Sequence, residues 1–418
     1  MKERTRLREL MRAATSASDY YRQHLPDCDA VDIDISDLPL AYPEALWGGD
    51  RYRPANSPTF APSNGFVFSS SGTTGEPKFC IFSAEEWRSC TELAGRAFAN
   101  SRLVEPGDCV ANLAVVGGGL YSSFLFVHDA LMRSSVQCTE LALGNQTDAD
   151  YIERIFHDCA PTVLIGMPLI LLDLSDYLVS RNVTFPSVLK IGLGGELLKP
   201  NQAAHMFRAF PNAKLCGTVY ASNECGLIGS WDGISPTNEI CVADESVIVE
   251  IVDEKTHEPI EDINQPGLAV VTSIVKEKQP VIRYVTGDRV EWCSPKGLNR
   301  RMRLLGRATI RALNVEGVLI SEPELWEIAA GCGLATSALN VQAIVSADDT
   351  KTSLLFRLVM PSRTPWNISD EATVRAALLD YWPALHEAGV NVCVDRVTPT
   401  DSRKGTDMPK HKALVDLR

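Results

Sequence analysis

Short apolar runs alternate with helical patterns along most of this chain. The runs at residues 109–116, 163–167, 188–193 and 215–219 are bounded by turn-forming residues and predict strands. Residues 149–158 and 201–209 lie between them, carry apolar positions at helical spacing and predict helices. Strands alternating with helices of this length imply a mostly parallel sheet with helices on both faces, so the expected fold class is α/β. Residues 246–252 and 268–275 follow around Pro266-Gly267 with no helix between them and predict an antiparallel, β-rich segment. Beyond Gly306-Arg307 the rhythm changes. A glycine-bearing hairpin over 314–320 precedes a helix over 323–330 and strands over 338–346 and 353–360. One helix over 370–388 and a strand over 390–396 complete a compact α+β unit. The expected architecture is a large N-terminal domain, residues 1–305, and a small C-terminal domain, residues 306–418. At the start, Leu7, Leu10 and Met11 form an apolar stripe on a charged stretch. That pattern predicts an amphipathic helix rather than a secretory signal.

Composition narrows the classes. At 418 residues the chain suggests two or three domains, with 45% apolar and 22% charged residues in ordinary globular proportion. A net charge of −13 argues against a nucleic-acid partner. No unbroken apolar stretch has membrane-spanning length, so no membrane partner is expected and the placement is cytoplasmic. The 12 cysteines lie singly, with no Cys-x-x-Cys pair and no zinc-finger spacing. In a reducing cytosol they form no structural disulfides. Cys225 is the one candidate reactive thiol.

The stretch Phe66-Val67-Phe68-Ser69-Ser70-Ser71-Gly72-Thr73-Thr74-Gly75-Glu76-Pro77-Lys78 carries the most chemistry. An apolar run that predicts a strand gives way to hydroxyls and glycines and ends in one lysine. Glycines let the backbone turn tightly and bring its N–H groups close to an anion. The hydroxyls add donors and the lysine adds a positive charge, so the loop suits a polyphosphate. The spacing is not that of the P-loop NTPases, which place four residues between the glycines; here two separate Gly72 from Gly75.

Ser-Ser-Gly-Thr-Thr-Gly-x-Pro-Lys resembles the phosphate loop of the adenylate-forming ligases, which turn a carboxylic acid and ATP into an acyl-AMP. The resemblance implies that Ser70, Ser71, Gly72, Thr73, Thr74, Gly75 and Lys78 bind ATP. Four further segments stand in the chain order of the same family. Ile191-Gly192-Leu193-Gly194-Gly195-Glu196 ends a predicted strand, where ligands of open α/β sheets bind. In the family it borders the adenine and the acyl pocket, which implies contacts from Gly194, Gly195 and Glu196. Glu196 also reads as a neighbour of a helix N-terminus. Val219-Tyr220-Ala221-Ser222-Asn223-Glu224 resembles the family's Tyr-Gly-x-Thr-Glu. There the ring, here Tyr220, stacks on adenine and the glutamate, here Glu224, binds Mg²⁺, for which a carboxylate is a suitable hard ligand. Ala221 replaces the family's glycine and Asn223 its threonine. Ser222 falls within the same nucleotide-binding turn.

Arg283-Tyr284-Val285-Thr286-Gly287-Asp288 is close to the family's Tyr-Arg-Thr-Gly-Asp, whose aspartate accepts from both ribose hydroxyls. An ionised carboxylate suits a vicinal diol. Leu305-Gly306-Arg307 supplies an arginine that in the family contacts ribose or phosphate, just before a hinge about which the small domain rotates. The family carries Asp or Lys at that hinge, whereas this chain has Ala308-Thr309-Ile310. Family members end with a lysine that enters the site during adenylation. Lys410 matches best, with Lys404 and Lys412 as rivals. The implied catalytic residues are therefore Lys78, Arg307 and Lys410.

Other stretches resemble a compact branch of the family that holds phenylacetate–CoA ligases and indoleacetate–lysine ligase. On that basis the acid pocket is lined by Gly118, Leu120, Tyr121, Gly166, Met167, Pro168, Gly192 and Gly194. Its glycines leave room for a flat acid such as an aryl acid. The implied reaction uses ATP and Mg²⁺ to form an acyl-AMP, then passes the acyl group to a small-molecule amine. The amine is favoured over CoA because Glu316-Gly317 puts a negative charge where CoA users build the pantetheine tunnel. Thioester formation on CoA, nitrite activation to a diazo product and a non-catalytic binding role are the alternatives. The oligomeric state stays open.

Overall fold

The structure, a computed structural model, describes residues 2–27, 34–47, 64–70, 78–116, 119–196, 198–308, 312–347, 351–403 and 412–418. The candidate residues Ser71, Gly72, Thr73, Thr74, Gly75, Gly118, Lys404 and Lys410 lie outside the described residues.

A five-stranded parallel sheet forms the first layer. Its order is Thr139–Ala142, Cys109–Asn112, Val163–Gly166, Lys190–Leu193 and Lys214–Gly217. The strand order reverses between Cys109–Asn112 and Val163–Gly166, and ligands of open α/β sheets bind beyond the carboxyl ends of strands at such a switch point. The loops that follow these strands lead to Leu120, Met167, Gly194 and Tyr220. Among the covering helices, Pro168–Ser180 has proline at its first turn and is apolar nearly all round, so most of its side chains are buried. The predicted strand over 109–116 stops at Asn112. There the Asn112 side chain donates to Glu140 at 2.8 Å and to the Phe124 carbonyl at 3.3 Å, and the chain leaves the ladder.

A seven-stranded antiparallel sheet follows, from Val247–Val252 at one edge to Val219–Ser222 at the other. The predicted strand over 215–219 divides between the two sheets. Lys214–Gly217 pairs in the parallel sheet and Val219–Ser222 in the antiparallel one. Gly217 makes this crossing possible, since a Cβ there would stand 2.7 Å from the Trp231 ring. Thr218 pins the corner by donating to the Leu193 carbonyl at 2.7 Å.

Strands Gly65–Ser69 and Phe79–Ser83 pair as an antiparallel hairpin. The phosphate-loop stretch is therefore the connection of a hairpin, closed by Ser70 N–H donating to the Lys78 carbonyl at 2.9 Å. The N-terminal helix Lys2–Ala17 buries Leu7, Leu10, Met11 and Ala14, as its stripe predicts.

The C-terminal segment builds its own core of Val315, Ile320, Leu325, Phe356 and Leu378, among others. Its sheet runs Asn391–Val397, Thr352–Val359, Asn340–Ala347, Leu414–Asp416. The single helix expected over 370–388 is two helices, Ile368–Tyr381 and Pro383–Glu387. Pro383 has no N–H to continue the ladder, and the last bond of the first helix runs from Trp382 N–H to Leu378 at 2.9 Å. No helix among the described residues is long and apolar enough to cross a membrane.

Candidate active site

Two polar corners are built from the 219–225 turn and the strand Tyr284–Trp292, the hairpin joining them at the first. Lys78 stands at the foot of the hairpin connection. Its ammonium donates to the Glu224 carboxylate at 3.0 Å and to the Tyr284 hydroxyl at 3.0 Å. The rings of Trp47 and Tyr284 lie 5.6 and 5.7 Å from it. Tyr284 opens this strand, and Arg283 just before it, at φ +46°, is buried like Tyr284 but serves a different set of partners. The Arg283 fork grips Glu250 with two bonds of 3.0 Å and also holds the Ser36 carbonyl, anchoring the strand from behind.

Burial alone would push the Glu224 carboxyl up. The Lys78 ammonium outweighs that and holds it below the usual glutamate range. The Tyr284 phenol is raised by burial and by the nearby Glu224 charge, so it stays a donor.

The second corner is built around Asp288. Gly287 turns the chain at φ +78°, and a Cβ there would come 3.4 Å from the Arg307 guanidinium. Asp288 lies directly across from Arg307 on the neighbouring strand, and the two form an ion pair at 3.3 Å. Arg307 also donates to the Thr286 carbonyl at 2.9 Å. The Tyr220 hydroxyl donates to the other Asp288 oxygen. Burial first, and then the Asp288 charge, raise the Tyr220 phenol well above its ordinary value.

Asn223 ties the site loops together. Its side-chain oxygen accepts from Ser122 at 2.7 Å, and its amide donates to the Ser69 carbonyl at 3.1 Å. Ser69 N–H in turn donates to the Leu120 carbonyl at 2.8 Å. Ser70 accepts from Lys78 N–H at 3.0 Å, and Ser222 accepts from Cys225 N–H at 3.0 Å. The Cys225 thiol is buried and pushed up to about 12, which makes it an inert apolar filler. Ala221 is exposed beside this turn.

The acid-pocket candidates divide by surroundings. Cβ positions at Gly166 and Gly192 would meet packed side chains, Leu113 and Leu171 at 3.4 Å and Leu103 at 3.1 Å. Gly194 would meet only the Thr218 hydroxyl at 3.6 Å. Leu120 is exposed, Tyr121 half-buried, and Met167 and Pro168 buried. Gly195 turns at φ +83°, and Glu196 follows it at the carboxyl edge of the parallel sheet.

Sequence reasoning did not find Lys276, whose fully buried ammonium donates to the Asn223 carbonyl at 2.9 Å. Nor did it find Gln279, which bonds the Ile81 N–H at 2.9 Å and the Phe79 carbonyl at 3.1 Å. Among the described residues no group of three or more His, Cys, Asp or Glu could hold a metal ion. A cation here would share Glu224 with ligand oxygens. Glu224 fits that part, being an ionised, nearly buried hard donor beside a lysine.

No family model matches the chain. The phenylacetate-coenzyme A ligase of Pseudomonas putida is 27% identical over 344 residues, 77% of this chain and 73% of that protein. The protein of the same name from Thermus thermophilus is 26% identical over 277 residues, 62% of this chain and 60% of that one. The chain thus spans less than two thirds of the Thermus relative. Among solved structures, 2-hydroxyisobutyryl-CoA ligase in its postadenylation state, in complex with 2-HIB-AMP, superposes with a TM-score of 0.70. That match covers 100% of this chain and 89% of the other at 18% identity, a likeness of fold. Fold and sequence matches together define the class as adenylate-forming ligases, which use ATP and Mg²⁺. In sequence and in fold this chain is similar to the adenylate-forming ligases.

Proposed function

We propose that the chain activates a carboxylic acid as its acyl-AMP, with loss of pyrophosphate, and passes the acyl group to an amine. The observation that carries the reading is the meeting of two corners from separate segments, Lys78–Glu224–Tyr284 and Tyr220–Asp288–Arg307. In this reading Asp288 takes the ribose diol, Tyr220 lies along the adenine and Lys78 and Arg307 face the phosphates. Lys410, carried by the small C-terminal domain of residues 306–418, neutralises charge between carboxylate and α-phosphate. Glu224 would hold Mg²⁺, which when bound would supply charge neutralisation at the phosphates. The protein contributes positioning and electrostatics rather than a covalent nucleophile.

The acceptor reading rests on Glu316. It occupies the exposed tip of the hairpin Ala312–Val315/Val318–Ser321 at φ +51°, and Thr352 donates to its carboxylate at 2.7 Å. An anchored negative charge there disfavours CoA phosphates and favours a cationic amine, within a screening length of about 10 Å. A CoA acceptor is the second reading, favoured by the two curated relatives' own activity.

The test is ATP–pyrophosphate exchange over a panel of carboxylic acids, aryl acids included, and nitrite. We expect exchange that needs both Mg²⁺ and one acid, and is abolished in Glu224→Ala. Equal exchange in that variant would overturn the site. Offering amines and CoA side by side then decides the acceptor by product mass. Saturable thioester formation with no amide would select the second reading.

A further inference from the structure

Lys276 is among the largest fully buried side chains of the protein. Burying an ammonium is costly unless it is paired. Among the described residues, the Asn223 carbonyl at 2.9 Å is its one hydrogen-bond acceptor, and the Phe82 ring lies 4.0 Å beneath it. No carboxylate forms an ion pair with it among the described residues. Glu224, one residue beyond its acceptor, is already paired with Lys78. The corner thus holds two lysines for one carboxylate, an excess of positive charge where the functional reading puts a polyphosphate.

The segment that carries Lys276 is fastened on both sides. The Glu86 carboxylate accepts from the N–H groups of Glu277 at 2.6 Å and Lys278 at 2.8 Å. Gln279 clasps the backbone of the strand that begins just after Lys78. One short stretch therefore holds both the strand behind Lys78 and the turn that presents Glu224.

We propose that Lys276 is a positioning residue of the nucleotide–metal corner. It fixes the Asn223-Glu224 turn through the Asn223 carbonyl, so that the Glu224 carboxylate is aimed at the cation site. This deepens the adenylate-forming reading and rests on it.

The probe is ATP, titrated calorimetrically with Mg²⁺ and separately with EDTA, in the absence of any acid. For the wild-type chain Mg²⁺ tightens ATP binding. In Lys276→Met that tightening shrinks about tenfold, the scale of one lost hydrogen bond to a charged group, while metal-free affinity shifts by less than about threefold. In a Glu224→Gln background the same substitution has no further effect on the Mg²⁺ increment. Lys276→Arg, which keeps charge and donor, retains most of the increment, and it decides the matter if Lys276→Met does not fold. A merely structural role would lower the melting temperature and leave the Mg²⁺ increment unchanged in both variants. That result overturns the proposal. Absence of ATP binding by the wild-type chain would instead overturn the functional reading itself.

Discussion

Asp288 is held by a cross-strand arginine, a buried tyrosine hydroxyl and a glycine turn, so its two oxygens are fixed before any ligand arrives. Replacing it with alanine leaves Tyr220 and Arg307 without their partner and removes the acceptor for a diol. We expect Asp288→Ala to weaken ATP binding by about tenfold or more, with far-UV circular dichroism unchanged. Titration calorimetry checks this, and undiminished affinity would remove Asp288 from the site. Single residues also show what a sequence hides. Lys276-Glu277-Lys278 reads as a solvated run of charge, because nothing local says that the first lysine turns inward. Its enclosure depends on Phe82 and Asn223, both distant in the chain. Likewise Lys78 is legible as a phosphate lysine, but its pairing with Glu224 and Tyr284 arises only when three segments converge.

At the scale of elements, periodicity located strands and helices well and their ends poorly. The run over 215–219, Leu-Cys-Gly-Thr-Val, reads as one short strand, and its periodicity does not reveal that Thr218 passes from one sheet to the other. The signal was present in Gly217, whose missing side chain admits Trp231. Gly217→Ala therefore forces a Cβ to 2.7 Å from that ring and should cost about 1–3 kcal/mol, read as a lower urea midpoint. An unchanged midpoint would mean that the Trp231 corner yields freely. The division of the helix at Pro383 was equally visible as a proline, and the helical pattern on both sides obscured it. The hairpin that carries the hydroxyl loop was half seen. Its first strand reads from Phe66-Val67-Phe68, but its return strand follows a lysine and looks like a continuation.

At the scale of the whole molecule, the C-terminal segment meets the helix Pro168–Ser180 through Asp176. That carboxylate accepts from Ser362 N–H at 2.9 Å and from the Ser362 hydroxyl, and His205 stands 3.3 Å away. Burial pushes the Asp176 carboxyl up, but His205 and Ser362 outweigh it and hold it below the usual range. Its stabilising effect is thus complete above the unfolded carboxyl's pKa, about 3.9, and is lost as pH falls through the lower folded value. Asp176→Asn should lower the melting temperature at pH 7 and converge with wild type in strong acid. A constant difference across that range would contradict it. The tail extends the same logic to function. Lys410→Ala should slow adenylation about a hundredfold and spare transfer from supplied acyl-AMP. Rapid-quench measurement of both half-reactions tests this. A larger defect in Lys404→Ala or Lys412→Ala would move the role to that lysine.

The ion pair of Lys78 with Glu224 carries one more consequence. Each partner already satisfies the other, so a lone phosphate must compete with Glu224 and a lone cation must compete with Lys78. Only when both arrive together can the two residues exchange partners without stranding a charge. If the corner holds the nucleotide as proposed, it would favour a metal-complexed nucleotide over either ion by itself.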